Sequence, residues 1–121
     1  MATVDLNSTT FESTVLADGI LLVDCWAGWC DACRSFAPVF ERTAEKFPRH
    51  TFGKIDAQKE KDLIAKLGIE NIPTLLLYRD GILLFRQPGY FDEEQLDDVV
   101  QQAESVDMNE VRSHMDSEET E

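Results

Sequence analysis

Apolar and polar residues follow two rhythms along the chain, one with a period of two and one near 3.6, and together they predict most of its elements. Ala2–Leu6 carries a weak strand pattern. Thr9-Thr10-Phe11-Glu12 has the spacing of a capping box, and Phe11 with Val15 makes an i, i+4 apolar pair. A short first helix is expected there, ended by Asp18-Gly19. Leu21–Trp26 is apolar apart from Asp24, the pattern of a central strand buried on both faces. A long helix is expected from Cys30 to about Phe47. Its core stripe is Phe36, Phe40, Ala44 and Phe47, and Arg34, Glu41, Arg42, Glu45 and Lys46 face water. Pro38 should kink this helix and Pro48 closes it. Thr51–Asp56 reads as a strand, and a short helix around Lys59–Leu67 ends at Gly68. Thr74–Arg79 and Ile82–Gln87 flank Asp80-Gly81, a hairpin turn signal. Leu96, Val99, Val100 and Ala103 fit one face of a last helix. The order is β-α-β-α-β-α-β-β-α.

Beyond Ser105 the chain turns acidic, with Asp107, Glu110, Asp116, Glu118, Glu119 and Glu121 offset by Arg112. Val106, Met108, Val111 and Met115 could support a short docked helix, followed by a disordered end. The expected division is residues 1–105 as a domain and 106–121 as an acidic extension. At 121 residues there is room for one core. No apolar run is long enough to span a membrane, and the start of the chain has no signal-peptide pattern, so a cytoplasmic location is expected. A formal charge of −13 argues against nucleic acid or anionic membrane as partners. Three cysteines make an odd count, which fits one redox pair and a spare thiol better than a disulfide-stapled scaffold.

The pair is Cys30 and Cys33, within Trp29-Cys30-Asp31-Ala32-Cys33, where the strand at Leu21–Trp26 hands over to the long helix. A thiol at a helix N-terminus meets unpaired N–H groups and the positive end of the helix dipole, and both favour thiolate. Spacing i, i+3 returns the second sulfur to the same face, where a disulfide can close. Cys30 is the expected nucleophile and the more exposed of the two, with Cys33 resolving the mixed disulfide. The alternative, half a zinc site, lacks support. Zinc needs about four ligands, and Cys25, His50 and His114 have no ligand spacing to the pair. No metal is expected. Asp24, a carboxylate in a buried strand, should have its pKa raised by burial. Cys25 reads as a small buried hydrophobe pointing to the sheet face opposite Asp24 and Trp26.

The resemblance to the thioredoxin family rests on several further segments. Val23-Asp24-Cys25-Trp26-Ala27-Gly28-Trp29-Cys30 resembles that family's strand-to-active-site segment, and Pro38 its helix proline. Lys54-Ile55-Asp56, Gly68-Ile69, Ile72-Pro73-Thr74, Asp80-Gly81 and Gly89 are similar to its third strand, proline loop, hairpin and final loop. The match covers roughly residues 3–105. The resemblance implies an α/β thioredoxin fold, a central mixed sheet with helices on both faces. It implies that Asp24 shuttles a proton for Cys33 and that Lys54 lies near Asp24, though Lys54 is equally readable as a solvent-facing strand lysine. It implies a cis bond before Pro73. Gly28, Trp29, Ile72, Pro73, Gly89 and Tyr90 would form an apolar rim for protein disulfides, with Trp26 as core support.

The resemblance further implies a monomeric disulfide oxidoreductase with no bound cofactor. Its partners would be disulfide-containing proteins and a separate thioredoxin-reductase-type electron donor. The chain departs from the family at Asp31-Ala32, where Gly-Pro is usual, and at Asn71, where glycine is common before Ile-Pro. Asp31 places a carboxylate beside Cys30, opposing the thiolate, and Ala32 removes a backbone restraint. Two rival readings follow: a specialised isomerase- or oxidase-like member, and a non-catalytic thioredoxin-fold adaptor.

Overall fold

The computed structural model describes residues 2–119, with side chains to residue 115; of the end expected to be disordered, the backbone is helical as far as Glu119, and residues 120 and 121 lie outside what is described. The elements in chain order are β1 (Thr3–Asp5), α1 (Phe11–Leu16), β2 (Ile20–Trp26), α2 (Asp31–Lys46), β3 (Thr51–Asp56), α3 (Lys61–Lys66), β4 (Thr74–Arg79), β5 (Ile82–Pro88), α4 (Glu93–Ser105) and α5 (Met108–Glu119). They form a five-stranded mixed sheet in the order β1-β3-β2-β4-β5. Strands β1, β3 and β2 run parallel, while β4 is antiparallel to β2 and β5 to β4.

Strand β2 lies at the centre because it is apolar on both faces. Ile20 and Leu22 point to one side, joined by Leu75 and Leu77 of β4 and covered by Phe36, Val39 and Phe40 of α2 and Leu96 and Val100 of α4. Leu21, Val23 and Cys25 point to the other, against Leu76, Tyr78 and Leu63, with Phe11 and Val15 of α1 packed alongside. Each large apolar side chain taken out of water this way is worth roughly 1.5–3 kcal/mol. The period of two therefore places Asp24 and Trp26 on the α2 side and Cys25 on the α1/α3 side.

Several ends differ from the sequence reading. No capping box forms at α1. Asn7 Oδ1 instead accepts from the N–H groups of Thr9 and Thr10 at 2.9 and 3.0 Å, and Asn7's own carbonyl from Phe11 N–H at 2.9 Å. An Asx turn two residues earlier thus replaces the Thr9–Glu12 box. Helix α2 contains Pro38, as read, but Cys30 and Phe47 are its caps rather than its first and last residues. Helix α3 is shorter than expected, because Asp56 holds Gln58 and Lys59 in a turn through its side chain. Its C-terminus closes as read, with Gly68 at φ 68° and the N–H groups of Gly68 and Ile69 donating to Ala65 and Ile64. At the hairpin, Asp80 and Gly81 both take positive φ.

A tenth element, α5, follows α4. Asp107 Oδ1 accepts from the N–H groups of Asn109 and Glu110 and starts this helix. Of the four apolar residues expected to dock it, Met108 is buried, Val111 is half-buried and Met115 is exposed. Val106 lies in the preceding linker, where its carbonyl accepts from Arg79 Nη1 at 2.9 Å. The same Nη1 donates to Ala103 O at 2.8 Å. One guanidinium at the end of β4 therefore holds the last turn of α4 and the link to α5 together.

Candidate active site

The site assembles where β2 ends. Strand β4 is antiparallel to β2, so its first residue, Thr74, lies beside Cys25, and the loop before it arrives at the same edge as Cys30. The Ile72–Pro73 bond is cis. Ile72 packs with Ala27, Cys30 and Cys33, and its carbonyl oxygen is 3.7 Å from Cys30 Sγ. Gly89, at φ 111°, donates its N–H to Pro73 O at 2.8 Å and ties the final loop to this edge. Asn71 O accepts from Thr74 Oγ1 at 2.5 Å.

Cys30 is the N-cap of α2, and its sulfur accepts from the Cys33 N–H at 3.1 Å. That N–H is one of the orphan donors of the first helical turn, so a negative sulfur here receives a direct hydrogen bond as well as the dipole. Both thiols are free. The expected difference in exposure is small: Cys30 is 5% exposed and Cys33 3%. The thiol of Cys33 is pushed up to about 12, first by burial and then by its contact with Cys30.

Asp24 is fully buried, and neither of its carboxylate oxygens has a hydrogen-bond partner among the described residues. Burial pushes its carboxyl up to about 7, against the opposing pull of Lys54. Lys54 is Asp24's register partner on β3, so both side chains leave the sheet on one face. Lys54 is not simply a solvent-facing lysine. It is half-buried, and its Nζ lies 5.1 Å from the Trp26 ring centroid, a cation–π distance. A cavity of about 260 Å³ is lined by Asp24, Cys33, Lys54, Trp26 and Arg34 among others. It gives the buried carboxylate and the second thiol a common space.

Around the thiols, Trp29 is 66% exposed and Tyr90 is also exposed, with its ring edge-on to Phe36. Gly28 is exposed, and its N–H donates to Gln58 Oε1 at 3.2 Å. Ile72 is half-buried and Pro73 buried, so the apolar surface is a patch of mixed depth rather than a flat rim. Cys25 is held away from this site, between Ile55 of β3 and Thr74 of β4, and burial pushes its thiol up to about 12.

Two residues of the active-site segment, Asp31 and Arg34, make contacts that sequence reasoning missed. They form an ion pair, and Arg34 Nη1 also donates to Gly28 O at 2.6 Å. Arg34 had read as a water-facing position of the helix. The signal that could have found the pair is its i, i+3 spacing with opposite charge. Ala32 is exposed at the second position of the helix.

Fold and site together define a dithiol protein of thioredoxin architecture. The Thioredoxin family model matches residues 2–102, and the chain belongs to that family. It is 42% identical over 111 residues to a putative thioredoxin 2 of Streptomyces coelicolor, covering 92% of this chain and 83% of that one. It is 36% identical over 97 residues to a thioredoxin of Alicyclobacillus acidocaldarius, covering 79% and 92%. Among solved structures, a mutant thioredoxin from Halobacterium salinarum superposes with a TM-score of 0.76 at 28% identity, covering 83% of this chain and 88% of that one. No helix among the described residues is long and apolar enough to cross a membrane.

Proposed function

We propose that this protein reduces protein disulfides by dithiol/disulfide exchange. The observation that carries the reading is the Cys30 sulfur capping α2 with Cys33 one turn behind it and buried Asp24 beneath. Cys30 thiolate attacks one sulfur of a substrate disulfide, forms a mixed disulfide and releases the first substrate thiolate, which takes a proton. Cys33 passes its proton to the Asp24 carboxylate and attacks Cys30 Sγ. The mixed disulfide breaks toward the substrate sulfur, which leaves as a thiolate and takes a proton, so the substrate gains two electrons from the Cys30/Cys33 dithiol as that pair is oxidised to a disulfide. Lys54 tunes Asp24 by its charge. Gly28, Trp29, Ile72, Pro73, Gly89 and Tyr90 dock the substrate chain, and the backbone beside Pro73 is placed to pair with an extended strand.

On this reading the protein is a cytoplasmic monomer in cell redox homeostasis and electron transport. It works without a bound cofactor and takes its electrons from a thioredoxin-reductase-type donor. Residues 1–105 form the working domain and 106–121 an extension to it. An isomerase- or oxidase-like role is favoured by one observation, the Asp31-Ala32 pair between the cysteines. Insulin reduction by the parent protein and by Cys30→Ser tests catalysis. The parent should reduce insulin and the variant should not, and equal behaviour would leave a binding adaptor. A redox titration followed by Trp26 and Trp29 fluorescence separates the rest. A strongly reducing potential supports the reductase, and one near the glutathione pool supports isomerisation or oxidation.

A further inference from the structure

The carboxylate of Asp31 sits at the first position of α2, next to Cys30 in the chain. An acid there suits the helix, because it faces the positive end of the dipole. It does not suit a nucleophilic sulfur, because negative charge nearby disfavours thiolate. Arg34 stands one turn along, at i+3. Its guanidinium forks, with Nη2 meeting Asp31 Oδ1 and Nη1 donating to Gly28 O at 2.6 Å. The fork fixes the group over the segment Gly28–Asp31 that carries the nucleophile. A guanidinium can serve both acceptors at once in a plane, which an ammonium group does less well.

We propose that Arg34 is a positioning residue of the dithiol site, cancelling the charge of Asp31 beside Cys30 so that an acidic residue is tolerated between the two cysteines. The proposal rests on the disulfide-exchange reading above and adds a residue to it. The other charged and titratable groups around the thiols are Asp24 from β2, Lys54 from β3 and Cys33 from α2, and the loop before β4 brings the uncharged Ile72 carbonyl. Asp24 and Lys54 already face each other across adjacent strands. Asp31 would otherwise stand as an uncompensated charge on the same segment. Its side chain is 92% exposed and that of Arg34 58%, so the pair itself adds little to stability. Its consequence lies in the field at the sulfur.

The test uses the full chain with Cys33→Ser, so that Cys30 is the one thiol of the pair and buried Cys25 an unreactive control. The probe is iodoacetamide, which is uncharged. The Cys30 thiolate forms the S–C bond and iodide leaves. At pH 7 and low salt, R34M should alkylate about threefold more slowly, the size expected of one unit charge several ångströms away in a mostly aqueous setting. The pH profile of the rate should move to higher pH. D31N/R34M should return to the parent rate, and R34M in 1 M salt should approach it, because the field is screened. A parent-like rate for R34M at low salt would overturn the proposal. So would an equal loss in the double variant, or a loss that salt does not relieve, since either would mean that Arg34 acts by shaping the loop. The intact dithiol protein is assayed alongside for insulin reduction. If that fails while the alkylation series behaves as described, the disulfide-reductase reading falls and the role of Arg34 stands.

Discussion

The sulfur of Cys30 accepts a hydrogen bond from the backbone N–H of Cys33 at 3.1 Å, in the place that a side-chain oxygen commonly fills at a helix start. The donor is backbone, so it survives any change to the Cys33 side chain. Cys33→Ser should therefore keep the nucleophile and lose the group that resolves its adduct. With a protein disulfide substrate, this variant should accumulate a stable mixed disulfide at Cys30, visible as a mass adduct that dithiothreitol removes. Cys30→Ser should form none. An adduct on Cys33 of that variant would reverse the assigned order of attack.

Asp24 makes stability depend on pH in a calculable direction. Its carboxyl titrates near 7 in the folded protein, against an ordinary value of 3.8. Between those values the folded state holds a proton that the unfolded state has released. Stability contributed by the protonated form is complete below about pH 4 and is lost as pH rises through 7. By linkage the loss is about 4 kcal/mol. Asp24→Asn cannot ionise, so its stability relative to the parent should grow across this window and level off above it. Urea unfolding of both proteins at pH 4, 5.5 and 8 measures the difference. A constant gap would mean that Asp24 is not buried as described.

Trp29 offers a large apolar side chain at the edge of the site without packing into the core. Trp29→Ala should leave stability nearly unchanged. It should weaken docking of a protein disulfide by about 1–2 kcal/mol, a five- to thirtyfold rise in KM. Turnover of a small aromatic disulfide, which needs little docking surface, should change less than twofold. Equal losses with both substrates would place Trp29 in the chemistry itself.

Arg79 holds α4 and α5 through carbonyls at 2.8 and 2.9 Å. Arg79→Met removes the donor and leaves the carbonyls to water, at a cost of about 2 kcal/mol. Hydrogen exchange should quicken first at the end of α4 and in α5. Exchange unchanged there would show that buried Met108 suffices to dock the extension.

Elements that depend on local pattern were legible in the sequence. The buried β2, the α2 stripe and the Asp80-Gly81 turn follow from periodicity and turn chemistry, because each is enforced by neighbours in the chain. The thiol pair was legible from spacing, whereas the cis bond before Pro73 and the proximity of Lys54 to Asp24 came only through resemblance. Strand register decides that proximity, and register is not local. The start of α1 was misread because Asn7 and Thr9 offer rival side-chain acceptors, and the one that wins depends on the backbone path leaving β1. Arg34 and Arg79 were opaque for a further reason. A long cation at a helical or strand end reads as solvated until the carbonyls it meets are known.

Three cysteines allow three pairings. The alternation of β2 disfavours two of them, because Cys25 is sealed into the α1/α3 side of the sheet while Cys30 and Cys33 pack together with Ala27 at the start of α2. An oxidant meeting the folded chain thus finds a single closure available. The spare thiol becomes a partner only when the sheet opens, so a disulfide containing Cys25 would be a chemical record of unfolding.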